Sequence, residues 1–107
     1  VFYVRQYTMT YEIQTTSIFD KWFSTRVKDV KHRARIISRF DRIQMGSLGD
    51  HRHLSKDLYE LRFFFGPGFR LYFTIRRQTV VFLLCGGNKS SQAKDIQKAK
   101  HIMEDLS

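Results

Sequence analysis

Three short runs of aromatic and β-branched residues, separated by turn residues, constrain this chain more than any other feature. They are Leu58-Tyr-Glu-Leu-Arg-Phe-Phe-Phe65, Phe69-Arg-Leu-Tyr-Phe-Thr-Ile-Arg76 and Thr79-Val-Val-Phe-Leu-Leu-Cys85. Such runs favour strands, so the stretch predicts a three-stranded antiparallel meander. Gly66-Pro67-Gly68 suits the first hairpin, because glycine permits positive φ and proline presets φ near −65°. Arg77-Gln78 is a less usual turn, which leaves the second hairpin free to turn slightly earlier or later.

Side chains alternate faces along a strand. Tyr59, Leu61, Phe63 and Phe65 therefore share one face with Phe69, Leu71, Phe73 and Ile75. The other face carries Glu60, Arg62, Phe64, Arg70, Tyr72, Thr74 and Arg76. A loop that sets Phe65 against Phe69 places Arg62 opposite Tyr72 and Phe64 opposite Arg70. Half-solvated sheets are common in antiparallel folds. Two arginines and a tyrosine converging mid-sheet also suit a phosphate-rich ligand.

A chain of 107 residues is long enough for one core. Its formal net charge of +9 favours nucleic acid, an acidic protein or an anionic membrane surface as partner. A single cysteine excludes an internal disulfide and agrees with a reducing compartment. No apolar run approaches the about 20 residues of a membrane span, and Val1 to Thr10 lacks the apolar centre of a signal peptide. The expected location is the cytoplasm.

Ahead of the meander, Tyr11-Glu12-Ile13 reads as a short first strand. Thr15-Thr16-Ser17 offers an N-cap, and Ser17 with Asp20 resembles a capping box. Ile18, Phe19, Trp22, Phe23 and Val27 then follow helical spacing. A second helix from Asp29 to Met45 has Val30, Ala34, Ile37, Phe40 or Asp41, and Ile43 or Gln44 as its inner stripe, with Gly46 as its stop. Lys28, Lys31, Arg33, Arg35, Arg39 and Arg42 form its outer, basic face, either a solvated surface or a phosphate-contacting stripe. Residues 46–57 read as a polar loop holding His51 and His53. His-x-His without two further ligands is a poor metal site, so no metal is expected. After the third strand, Ser90 or Ser91 caps a last helix with Ile96, Ala99, Met103 and Leu106 inward. Lys89, just before that helix, can hold a phosphate. Gly86-Gly-Asn-Lys-Ser-Ser91 lacks the spacing of a nucleotide-hydrolase loop. Cys85 reads as a buried strand residue rather than a nucleophile.

The β-α-α-β-β-β-α order resembles the RelE/ParE superfamily of bacterial toxins from type II toxin–antitoxin modules, and within it the HigB-like "addiction module killer protein" group. The residues carrying the resemblance are Tyr11-Glu-Ile13, Phe19-Asp-Lys-Trp22, Gly49-Asp50, Glu60-Leu-Arg62, Gly66-Pro-Gly-Phe-Arg-Leu-Tyr-Phe73, and Leu84-Cys-Gly-Gly-Asn-Lys-Ser-Ser-Gln92 followed by Asp95-Ile96. It covers Met9 to the C-terminus and leaves residues 1–8 as an N-terminal extension to a single domain over 9–107. The resemblance implies an α+β fold: two helices on one face of a twisted, largely antiparallel sheet, a C-terminal helix, and a concave RNA-binding face.

Typical members cleave messenger RNA in the ribosome without a metal or other cofactor, by attack of the 2′-hydroxyl on the adjacent phosphorus. The implied partners are an antitoxin, expected to be a helix-turn-helix protein, with messenger RNA and the ribosome, and no membrane. Arg70 matches the family's phosphate-binding arginine. Arg62 matches a basic position on the preceding strand, and Lys89 a cation after the last strand. Phe64, Arg76, Lys94, Arg39 and Arg35 are the further expected RNA contacts. Some members carry a lysine where this chain has Glu60 and a tyrosine near Asp95, so acid and base remain open among Tyr72, His53, His51 and Glu60. The alternatives are a non-catalytic ParE-like inhibitor of DNA gyrase and a plain basic nucleic-acid-binding module.

Overall fold

The structure, a computed structural model, describes residues 10–106. The expected N-terminal extension, residues 1–8, lies outside the described residues. Strand β1 (Glu12–Thr15) leads into helix α1 (Ser17–Arg26). The cap of α1 is Thr16, within the expected Thr15-Thr16-Ser17 stretch and one residue before the Ser17 of the expected capping box. Thr16 is extended, and its hydroxyl accepts from the Phe19 N–H at 3.0 Å while donating to the Leu84 carbonyl at 2.6 Å. One side chain thus satisfies an open helix end and ties the helix to the sheet.

Asp29 caps α2 (Val30–Gln44), accepting from Lys31 and His32, and Gly46 at φ 103° ends it as expected. The inner stripe differs from the expected one. Ile36 and Ile43 are fully buried, while Val30 is 79% and Ile37 46% exposed, and Ala34 is exposed too. Two arginines assigned to the outer face turn inward instead. Arg33 lies over the Phe23 ring at 4.7 Å and donates to the Val27 carbonyl. Arg39 lies over Phe63 at 4.4 Å and donates to the Arg62 carbonyl. Their long stems and guanidinium faces fill positions that a hydrophobic count assigns to aliphatic residues.

The sheet has five strands in the order β1-β5-β4-β3-β2, with β2 (His51–Ser55), β3 (Leu58–Arg62), β4 (Phe69–Arg76) and β5 (Val80–Asn88). Neighbours from β2 to β5 are antiparallel, and β1 runs parallel to β5. Thus residues 51–55 form an edge strand within the expected loop. His-Arg-His-Leu-Ser has neither apolar alternation nor β-branched residues, and pairing with β3 supplies what propensity does not.

The β3–β4 register also differs from expectation. Arg62 faces Arg70 and Glu60 faces Tyr72. The ladder closes where the Phe63 N–H donates to the Phe69 carbonyl, leaving Phe64 to Gly68 as the loop, with positive φ at Gly66 and Gly68. A shift of two residues keeps every side chain on its expected face. The second hairpin turns at Arg77-Gln78, both at positive φ, with the Thr79 N–H donating to the Arg76 carbonyl.

Helices α1 and α2 cover one face through Phe19, Ile36, Ile43, Leu61, Leu71, Phe73 and Leu83. The last helix, α3 (Gln92–Asp105), covers part of the other through Leu58, Tyr72, Leu84, Cys85, Ala99 and Ile102. Ser91 is its N-cap residue, within the expected pair, but makes no side-chain cap bond; the side-chain cap is Asn88, at the start of a preceding 3-10 turn, Lys89–Ser91. The Asn88 carbonyl oxygen of the side chain accepts from the N–H groups of Ser90 and Ser91. No described helix is long and apolar enough to cross a membrane. The architecture is an α+β, RelE-like one.

Thr16→Ala should lower unfolding free energy by about 1–2 kcal/mol, since both the cap and the Leu84 tie are lost. Thr16→Ser should retain most of it. Urea unfolding midpoints at unchanged slope would show this; equal midpoints for all three proteins would refute the double role.

Candidate functional site

The polar side chains of the α3-side face stand in rows across the strands. Arg52, Glu60, Tyr72 and Cys85 are successive cross-strand partners from β2 to β5. The next row runs Arg62, Arg70, Gly87. Arg62, Arg70 and Tyr72 therefore share a face, opposite the one that receives Trp22, as alternation predicts. Ile37, expected to meet the sheet beside Trp22, is exposed instead.

Arg70 is only 7% exposed. Its Nη1 donates to the carbonyls of Phe63, Gly68 and Phe69, each at 3.2 Å. These three bonds fix the guanidinium at the base of the first hairpin, while its Nε has no partner. Arg62 donates to Asp50 Oδ1 at 3.1 Å, leaving its own Nε and Asp50 Oδ2 unpartnered. Of two directly opposed arginines, Arg62 has a carboxylate partner and Arg70 has only backbone carbonyls. Like charges facing each other across a sheet destabilise it, and buried N–H groups without acceptors cost more. An anion bridging the pair would relieve both. Lys89 lies alongside: a Cβ on Gly68 would come 3.3 Å from Lys89 Cβ and 3.7 Å from Arg70 Nη1.

The row of Glu60 and Tyr72 is closed. Glu60 is fully buried, accepts from Gln92 Nε2 at 2.8 Å, and faces Arg52 Nη2 at 3.4 Å. Tyr72 is fully buried beneath α3. It was expected on an open platform; the C-terminal helix, packing its Ala99 and Ile102 against this face, covers it. Burial first, then the Glu60 carboxylate, pushes the Tyr72 phenol far above its ordinary range, so it stays protonated at neutral pH. The Cys85 thiol is pushed up to about 12, by burial and then by Asp95. It is therefore a thiol at neutral pH, and a poor nucleophile.

Of the other expected site residues, His53 is paired with Tyr59 and lies on the opposite, helix-bearing face, with its ring 4.9 Å from the Tyr59 ring. His51, opposite Leu61, shares that face and contacts the Gly49 carbonyl. Arg39 and Arg35 sit with Phe63 and Phe65 on the same helix-bearing side. Arg76 shares the Arg70 face but lies at the far end of β4, over Phe82 and near the Leu106 carbonyl. Phe64, 78% exposed in the loop beside Arg62, is open for stacking. Lys94 lines a separate cleft against α1. The sequence reading attached no role to Arg52, Asp50 and Gln92. A signal for the first existed in the alternation of Arg52 with Leu54, but only a strand assignment makes it legible.

An α+β domain with a cation-rich sheet face and a capping C-terminal helix defines a small RelE-like toxin-type protein. This chain belongs to the Gp49-like family: residues 22–105 match the family described as "Phage derived protein Gp49-like (DUF891)", a family associated with the toxins of toxin–antitoxin systems. Membership implies an antitoxin as partner. The chain is also 41% identical over 98 residues to an "Uncharacterized protein" of Haemophilus influenzae, covering 92% of this chain and 98% of that one.

The two raised pKa values set an alkaline response. A raised folded-state pKa means the unfolded chain ionises first, so stability holds below the unfolded pKa and falls as pH rises above it. Stability should hold to about pH 8.5 and then decline, first through Cys85 and above about pH 10 also through Tyr72. Tyr72→Phe should remove the upper part of that decline. At pH 7 it should change stability by about 1 kcal/mol or less, because the hydroxyl has at most one weak contact, to Glu60, to lose. Thermal melts of both proteins from pH 7 to 11 would check this; parallel curves would contradict it.

Proposed function

We propose that this chain is a HigB-like endoribonuclease toxin that cleaves messenger RNA on the ribosome without a metal ion, in the cytoplasm. The observation that carries the reading is the facing pair Arg62 and Arg70, of which only Arg62 has a carboxylate partner, with two buried, unpartnered Nε–H groups. Such donors, fixed before substrate arrives, suit a phosphate whose charge grows as the 2′-hydroxyl attacks and a pentacoordinate phosphorane forms. Arg70 is the main phosphate ligand, held rigid by its three carbonyls. Arg62 and Lys89 flank it, and Phe64 stacks on a base. Tyr72, protonated at neutral pH, fits proton donation rather than abstraction. With Arg52, Glu60 and Gln92 it forms the buried wall behind the arginines.

That burial also favours a second reading. None of Tyr72, Glu60, His51 and His53 stands open beside Arg70. A ParE-like inhibitor that binds gyrase without cleaving anything needs no acid or base, only the charged surface.

The test is single-turnover cleavage of ribosome-bound message, with free RNA in EDTA beside it. Arg70→Ala should slow cleavage about 30- to 1,000-fold, equal to roughly 2–4 kcal/mol of lost transition-state stabilisation. Arg70→Lys should recover part, since an ammonium cannot reproduce planar two-point contact. Arg70→Ala also frees three buried carbonyls, so rates are compared below both proteins' melting transitions. A folded Arg70→Ala protein of full activity would end the proposal. No cleavage by the unmodified protein, together with gyrase poisoning, would establish the second reading.

A further inference from the structure

A second cation-lined site lies at the β5 edge of the sheet, beside the first hairpin. Strand β1 pairs with β5 only as far as Leu83, after which the chain turns into α1. Beyond that point α1 and α3 flank the end of β5, and between them opens a cleft of about 840 Å³ floored by Gly86 and Gly87. A smaller cavity of about 390 Å³ continues it along α1. Trp22, Arg26 and Lys98 line both, so the indole stands between two hollows.

The charge on this cleft is one-sided. Lys94, Lys98 and His101 follow one another at four and three residues along α3, and so share a helix face. Arg26, one turn beyond Trp22 on α1, faces them. Asp95 is the one carboxylate lining the cleft among the described residues, and it accepts a hydrogen bond from Ser91. An indole between cations is what a stacked base with its phosphate requires.

Position links the cleft to the arginine pair. Its rim includes Pro67 and Asn88, and the next residues along the chain, Gly68 and Lys89, stand beside Arg70. We infer that the α1–α3 cleft is a nucleotide subsite for single-stranded RNA flanking the phosphate held at Arg70, with a base against Trp22 and its phosphate between Arg26 and Lys98. This inference deepens the endoribonuclease reading and rests on it for the direction of the strand, while binding in the cleft requires no cleavage.

Trp22 is the only tryptophan of the chain, so its fluorescence reports on this cleft. The probe is a 2′-O-methyl oligonucleotide, which cannot be cleaved by 2′-hydroxyl attack. Saturable quenching is expected, weakening as salt rises. Arg26→Glu and Lys98→Glu should each weaken it about tenfold or more; both residues are exposed, so circular dichroism should show an unchanged fold. Arg70→Ala should leave the quenching of Trp22 largely intact while slowing cleavage about 30- to 1,000-fold. Quenching that survives in both charge-reversal variants, or no quenching by RNA, overturns the subsite. Quenching by an acidic peptide but not by RNA overturns it in favour of a protein partner. If the unmodified protein cleaves nothing yet shows the predicted quenching pattern, the subsite stands and the endoribonuclease reading falls.

Discussion

Strand β4 is enclosed from both sides, and the rest of the structure depends on that enclosure. Phe69, Leu71 and Phe73 meet the α1–α2 layer, Tyr72 meets α3, and β3 and β5 saturate the backbone on either edge. Phe69 through Thr74 are all buried. Arg70 belongs to this run, so its charge sits where water cannot solvate it fully. A buried cation needs compensation from fixed partners, and the three carbonyls at the hairpin base provide it. The same enclosure strengthens whatever anion reaches the free side of the guanidinium, because low dielectric magnifies each contact.

Arg39 extends this dependence to the edge of the sheet. Its guanidinium reaches the carbonyls of Leu48, Asp50 and Arg62. Burial, then repulsion from Arg42, lowers its pKa, with Asp50 acting in the opposite sense. The loop from α2 to β2 is thereby held so that the Asp50 carboxylate faces Arg62. A residue that a helical count assigns to a solvent-facing stripe thus positions the acid that partners Arg62.

The meander, its two faces and the grouping of Arg62 with Arg70 were legible because period-two alternation is local and survives a two-residue change of register. The register itself was not, since it depends on where the Phe64–Gly68 loop closes. Nor was β2, whose residues become a strand only through β3. The stripe on α2 was misread because arginine stems cover apolar surface as well as isoleucine does. The covering of Tyr72 was hidden for a different reason. The pattern of Ile96, Ala99 and Met103 shows that α3 is amphipathic but not which face of the sheet receives it. His53 was a candidate acid or base in an expected loop, and only its assignment to β2 places it on the face opposite the arginines.

The two glycines at the end of β5 explain how one strand serves both sides of the molecule. Gly86 faces α1, where a Cβ would collide with the indole of Trp22. Gly87 faces α3, where a Cβ would collide with the carboxylate of Asp95. These residues are the cross-strand partners of Leu71 and Arg70. The absence of two side chains lets both helices close on the strand directly behind the arginine pair. A larger residue at Gly86 would drive α1 outward, because the indole ring packed on that backbone leaves no room to adjust, whereas one at Gly87 would first turn the Asp95 carboxylate away from Ser91. Displacing α1 would move Trp22, and displacing α3 would move Gln92 away from Glu60. Helix placement, the buried wall behind Arg70 and the shape of the α1–α3 cleft are therefore set at one point in the fold.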